Sequence, residues 1–262
     1  MNYKDGGSKE KPGKSAYSAP ALTKGLRIME LLGNTANALT THQIATALGY
    51  TRNEIFRFIA LLEIEGYIAK DDSGQGYILS GKLLELGLQE PRVSDIFELV
   101  SPLAEKLTQQ SGAPCHLAFP SEDEIFIVRR WEPQDRLSVS VPVGTRRAME
   151  VTASGLSMLI SLKEEELDSV VSDIQQRNPK FTIEEVHQLK AVFRSDGYLT
   201  YESRLMEGVV DLSIPLVSSS GELYGALTVP YVNNVTCEST VEEVGKMLVE
   251  ICEHVSERLI RN

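Results

Sequence analysis

The run Thr51-Arg52-Asn53-Glu54-Ile55-Phe56-Arg57 places two arginines, an asparagine and a carboxylate at the head of a helical pattern. Side chains in the first turns of such a helix reach base edges and phosphates. Arginine fits guanine O6 and N7, asparagine fits adenine, and glutamate accepts from cytosine N4. Thr51 and Glu54 also have the Thr-x-x-Glu spacing of a capping box, so Glu54 is read first as a cap. A second group of interest is Thr152-Ala153-Ser154-Gly155, small residues that open another helix. Free backbone amides at a helix start favour an anion, and a carboxylate ligand suits them.

Enzymatic chemistry finds little here. Cys115 and His116 are adjacent rather than facing, and there is no Gly-x-Ser-x-Gly elbow, phosphate loop or His-Glu-x-x-His zinc motif. A zinc site built on His116 and Asp211 has too few ligands, so neither metal nor cofactor is expected.

The elements around Thr51 define how these side chains are presented. Thr40 and Gln43 form another capping-box pair, Gly49 is a natural left-handed stop, and Ile44, Ala45 and Leu48 line one face of the short helix between. The next helix carries Ile55, Phe58, Ile59 and Leu62 inward and stops at Gly66. Upstream, Leu22, Leu26, Met29 and Leu32 recur at helical spacing. Downstream, 67–70 and 77–79 read as strands around the glycine-containing tip Asp71-Asp72-Ser73-Gly74-Gln75-Gly76. Three helices and a hairpin in this order make a winged helix-turn-helix.

Past Pro91 a helix is expected from Ser94, with Pro102 kinking or dividing it. The runs 115–119, 125–128 and 137–141 suggest an antiparallel meander. Helices follow over 153–161, 163–175 and 182–195, strands over 199–203, 210–217 and 223–229, and a closing helix over 241–260. Strands, then helices, then strands argue an α+β domain with helices flanking an antiparallel sheet.

The chain closely resembles the IclR family of bacterial transcription regulators. Leu26-Arg27-Ile28-Met29-Glu30-Leu31-Leu32, Gln43-Ile44-Ala45, Arg57, 62–68 and 77–87 carry the resemblance in the first part. Pro142-Val143-Gly144-Thr145-Arg146, Thr152-Ala153-Ser154-Gly155, Gly197-Tyr198 and 208–216 carry it in the second. Residues 1–20, rich in Gly, Ser, Lys and Pro and nearly without apolar side chains, are expected to be a disordered tail, and the resemblance implies a DNA-binding domain over 21–82, a linker helix over 83–93 and a GAF-like effector-binding domain over 94–262. It makes Arg57 the family's characteristic arginine. It implies that Leu83, Leu84, Leu86 and Leu88 help pair subunits into homodimers or homotetramers. It gives Ala153, Ser154, Tyr201, Asp211 and Thr228 as effector-site candidates, with Arg147 and Met149 approaching the same cavity. Asp211 departs from the cysteine that many relatives carry, and Pro230 from a hydroxyl residue. An acid there accepts hydroxyls, as a sugar acid offers, or pairs with Arg147.

The 262 residues suffice for two medium domains, and no apolar run approaches the ~20 residues of a membrane helix, so a cytoplasmic protein is expected. Cys115, Cys237 and Cys252 read as free thiols. The net charge of −11 is unevenly spread: residues 1–82 hold ten basic and eight acidic side chains, and 83–262 hold sixteen and twenty-nine. An acidic second domain repels DNA from everywhere but the reading surface. Together these readings describe a ligand-responsive repressor of a catabolic operon. It would bind double-stranded operator DNA and sense a small organic or sugar acid. The alternative is a small-molecule binding or hydrolytic module whose helix-turn-helix serves only assembly.

Overall fold

The computed structural model describes residues 19–134, 138–232 and 239–259. Residues 1–18 of the expected 1–20 tail, Leu137 and Cys237 lie outside these residues, while Ala19 and Pro20 belong to the start of the first helix. The chain divides into two compact units between Glu90 and Pro91.

The first unit contains α1 (Pro20–Gly33), α2 (Thr41–Leu48), α3 (Arg52–Ile64), β1 (Ile68–Lys70), β2 (Tyr77–Leu79) and α4 (Lys82–Leu88). Both capping boxes form, at Thr40 with Gln43 and at Thr51 with Glu54. Gly49 ends α2 in the left-handed region at φ 71°. Its core is Ile28, Leu32, Ile44, Ala45, Ile55, Ile59 and Ile68. The inward stripe of α1 therefore differs from the expected one: Leu22 and Leu26 are exposed, and Ile28 and Leu32, four residues apart, are buried.

β1 and β2 pair antiparallel, and Tyr77 also bridges Leu39. The tip of this wing is organised by Asp71, whose carboxylate accepts from the Gly76 backbone at 2.9 Å and the Ser73 hydroxyl at 2.7 Å. Those hydrogen bonds hold Asp71 below the usual carboxylate range.

Pro91 opens α5 (Pro91–Ser111) rather than only ending the helix before it. Proline is favoured in a first turn, where its missing N–H has no partner to lose. The expected linker over 83–93 is thus split between α4 and α5, and α5 runs unbroken through Pro102. The second unit continues with β3 (Cys115–Ser121), β4 (Glu124–Trp131), β5 (Arg146–Ala148) and a 3-10 turn (Met149–Val151). The helices α6 (Ala153–Ser161), α7 (Glu164–Arg177) and α8 (Ile183–Asp196) follow. Strands β6 (Leu199–Glu202), β7 (Val210–Val217) and β8 (Leu223–Tyr231) come next, and α9 (Val241–Arg258) is last. Residues 138–141 are not a strand; the short, polar β5 takes the place beside β4.

The six strands form one antiparallel sheet in the order β5-β4-β3-β8-β7-β6. Alternation along each strand feeds two cores. Cys115, Leu117, Leu212, Ile214, Leu216, Leu227 and Val229 pack with α5 and α9 on one face. Ala118, Ile125, Ile127, Leu199 and Ala226 pack with α6, α7 and α8 on the other. This is an α+β arrangement with helices covering an antiparallel sheet.

Every residue of α6 from Ala153 to Ile160 is buried. Gly155 explains how its first turn fits, since a Cβ there would lie 2.3 Å from the Met149 carbonyl oxygen. Replacing Gly155 with alanine is expected to destabilise the second unit by about 1–3 kcal/mol through overpacking. Urea unfolding of the variant checks this.

Candidate functional site

In the first unit the inner side of α3 is taken by Ile55 and Ile59, so Arg52, Asn53 and Arg57 are exposed on its outer side. Arg57 leans over the Phe58 ring at 4.9 Å. Glu54 is committed locally. One carboxylate oxygen accepts from the Thr51 backbone at 2.8 Å and hydroxyl at 2.7 Å, and the other meets Lys24 Nζ at 3.3 Å. The Thr51 hydrogen bonds, aided by Lys24, pull its pKa down to about 2. Arg52, Asn53 and Arg57 are therefore the polar side chains of α3 presented outward, while Thr51 and Glu54 build the helix start. Lys24 and Tyr50, absent from the sequence-derived set, join this face: the ammonium lies 4.8 Å from the Tyr50 ring.

In the second unit a polar row crosses the α6-facing side of the sheet. Register places Ser213 of β7 opposite Thr228 of β8, and Thr228 opposite His116 of β3. Ser154, in the first turn of α6, closes the group from above. Its Oγ lies 2.8 Å from Thr228 Oγ1 and 3.2 Å from His116 Nε2, and Thr228 Oγ1 lies 2.7 Å from Ser213 Oγ. All four residues are buried. Burial alone depresses the imidazole of His116 to about 4, so it is neutral at physiological pH.

One step along the strands, Asp211 faces Tyr201 of β6 and Pro230 of β8. Asp211 is half-buried, and burial raises its pKa from 3.8 to about 6 against a hydrogen bond from Ser203. Among the described residues the buried Tyr201 hydroxyl has no hydrogen-bond partner, and Arg204 lies 5.5 Å over its ring. Thr152 caps α6 by accepting from the Gly155 amide at 3.1 Å. The fold thus gathers Ala153, Ser154, Tyr201, Asp211 and Thr228 on one face of the sheet, and Met149 is buried beside the same helix.

Arg147 stands apart. It sits on β5 opposite Ile125, which in turn pairs with Pro120 toward the far end of β3 from His116, and its exposed guanidinium bonds the Arg146 carbonyl. No pairing with Asp211 follows from this geometry. His116 and Ser213 complete the polar row and are missing from the sequence-derived set. Their signal is period-two alternation: Asp211 and Ser213 interleave with Leu212 and Ile214, and His116 lies between Cys115 and Leu117. Among the described residues no cluster of three or more His, Cys, Asp or Glu could hold a metal ion. A groove of about 180 Å³ between α5 and α9, lined by Leu103, Leu107, Met247 and Ile251 among others, belongs to the opposite face of the sheet.

A reading helix on a winged three-helix unit, followed by a sheet with a buried polar site under a helix start, is the build of a DNA-binding regulator with a sensor domain. A family profile described as "IclR helix-turn-helix domain" matches residues 21–72, and one described as "Bacterial transcriptional regulator IclR C-terminal" matches 91–257. The chain belongs to the IclR family of bacterial transcriptional regulators. It is 21% identical over 250 residues to the HTH-type transcriptional regulator KdgR of Dickeya chrysanthemi, covering 94% of this chain and 82% of that one. It is 19% identical over 245 residues to the HTH-type transcriptional repressor AllR of Escherichia coli K12, covering 92% and 90%.

The fold matches the crystal structure of an IclR regulator from Alicyclobacillus acidocaldarius with a TM-score of 0.72 at 22% identity, over 92% of this chain and 98% of that one. It also matches an IclR homologue from Microbacterium hydrocarbonoxydans complexed with 4-hydroxybenzoate, with a TM-score of 0.73 at 19% identity, over 90% and 97%. The protein is accordingly a DNA-binding transcription regulator with an effector-binding C-terminal domain. No helix among the described residues is long and apolar enough to cross a membrane.

Asp211 carries a pH signature. Because its folded pKa is raised, the folded state binds the extra proton between about 4 and 6, so stability falls as pH rises through that window and the full penalty stands above it. Asp211→Asn is expected to be more stable than the parent at pH 8 by up to ~2 kcal/mol, discounted for partial exposure, and equal to it near pH 3. Chemical denaturation at both pH values checks the difference.

Proposed function

We propose that this regulator is a repressor of a catabolic operon, that Arg52, Asn53 and Arg57 read its operator, and that the Ser154–Asp211 face binds a small hydroxylated carboxylic acid. The observation that carries the effector reading is the convergence of Ser154, Thr228 and Ser213 with the start of α6 beside a half-buried acid. The α6 amides and hydroxyls suit the ligand carboxylate, and Asp211 with the unpartnered Tyr201 hydroxyl suits its hydroxyl groups. His116, being neutral, serves as a hydrogen-bonding partner rather than a cation. The 4-hydroxybenzoate held by the Microbacterium homologue is itself a hydroxylated carboxylic acid. The repressor reading is supported by the name of the AllR relative at 19% identity, and we read the protein as non-enzymatic.

We further read the protein as a homodimer or homotetramer in the cytoplasm, because one winged domain spans too few base pairs for a unique site. Leu83, Leu84, Leu86 and Leu88 of α4 are all exposed and supply an apolar surface for pairing. The operator is then a near-palindrome.

Arg57→Ala is expected to weaken operator binding in fluorescence anisotropy without altering the thermal midpoint. Arg52→Ala is expected to cost about 1–3 kcal/mol and to relax preference at one base pair. Affinity should fall steeply with salt as phosphate contacts are screened. A flat response would return the helix-turn-helix to an assembly role.

For the sensor, a thermal-shift panel of hydroxycarboxylic acids, with 4-hydroxybenzoate included, identifies binders, and calorimetry quantifies them. Asp211→Ala is expected to weaken the best binder at least tenfold while ligand-free operator affinity stays at the parent value. An unchanged ligand affinity in that variant would overturn the assignment of Asp211.

A further inference from the structure

Among the described residues Glu150 is the one acidic side chain that is buried, at 3% exposure. It lies in the 3-10 turn two residues before Thr152, the N-cap of α6. Arg177, the last residue of α7, answers it with a fork: Nη2 donates to Oε2 at 2.8 Å and Nε to Oε1 at 3.4 Å. The same guanidinium donates to the Asp123 carbonyl at 2.8 Å and pairs with the Asp123 carboxylate. That carbonyl also accepts from the Met149 amide at 3.1 Å. One arginine therefore ties together the β3–β4 turn, the 3-10 turn and the end of α7.

The 3-10 turn in turn locates α6. The Met149 backbone lies against Gly155 so closely that even a Cβ would not fit between them. Any displacement of Met149 and Glu150 is passed to the first turn of α6, and with it to Ser154, whose hydroxyl meets His116 and Thr228. We propose that Arg177 and Glu150 are positioning residues of the sensor site, whose ion pair, buried on the Glu150 side, fixes where the first turn of α6 meets the polar row of β3, β8 and β7. The functional meaning rests on the effector reading above, while the mechanical claim does not require a ligand.

A buried carboxylate deprived of its partner is costly, so loss of Arg177 alone perturbs stability whether or not it positions anything. The double variant Glu150→Leu/Arg177→Met separates the two roles, because it removes the buried carboxylate together with its partner and leaves only the part-exposed Asp123 carboxylate without its cation. The readout is His116, which is buried and whose Nε2 meets Ser154 of α6 at 3.2 Å.

In the full-length protein the His116 ring is followed by NMR against pH, and amide exchange is followed in α6 and α9. The parent should titrate near 4. Both Arg177→Met and the double variant should titrate above the parent, with exchange at Ala153, Ser154 and Leu156 faster by about tenfold and α9 unaffected. Arg177→Lys, which keeps the charge and a donor, should restore part of the protection. A folded double variant with His116 and α6 exchange at parent values would overturn the proposal and leave the pair as charge compensation alone. If Arg177→Met does not fold, the double variant decides. Absence of binding by the acids of the panel would count against the effector reading and leave this result standing.

Discussion

The hydrogen-bonded row Ser213, Thr228, Ser154 and His116 is the constraint around which the second unit is arranged. Buried hydroxyls and an imidazole are tolerated only when partnered, and each of these finds its partner on a different element. Two neighbouring strands, β7 and β8, must be in register, β3 must lie beside them, and the first turn of α6 must descend to the sheet. Small residues at the start of α6 are a consequence. A larger side chain at Ala153 or Gly155 would lift Ser154 from Thr228.

The two halves of the chain solve opposite electrostatic problems. In α3 the exposed acid, Glu54, is spent locally on the helix start, which leaves the other exposed side chains cationic or neutral. In the sensor unit the excess of carboxylates is kept mostly at the surface, and the buried Glu150 and the half-buried Asp211 are treated differently. Glu150 is matched by a guanidinium; Asp211 is given a hydroxyl and is left reluctant to ionise. The contrast marks one as scaffold and the other as a group with unspent hydrogen-bonding capacity.

Much of the fold was legible because its signals are local. Capping boxes at Thr40 and Thr51, the glycine stop at Gly49 and the strand over Val210–Val217 depend on neighbours within a few residues. What escaped depends on distant partners. The phase of α1 is hidden because Leu22 and Leu26 continue an apolar stripe that the small core, centred on Ile28 and Leu32, does not reach. β5 carries no apolar alternation and exists because β4 has a free edge. His116 looked like the neighbour of a thiol, yet the pleat sends Cys115 toward α5 and His116 toward α6. The family resemblance brings Arg147 toward the cavity of Asp211, but their strands lie near opposite edges of the sheet.

β7 shows where this molecule tolerates least change in length. Its odd-numbered residues Asp211 and Ser213 serve the polar face, and its even-numbered residues Leu212, Ile214 and Leu216 fill the core under α9. A one-residue slip would exchange the two sets, driving hydroxyl and carboxylate into oil and leucines into the sensor face. The tip of the wing can lengthen without disturbing either pairing partner. Insertions and deletions should therefore be purged from β7 and accumulate between Asp72 and Gln75, so the lengths at which descendants of this chain vary are already written in the pleat.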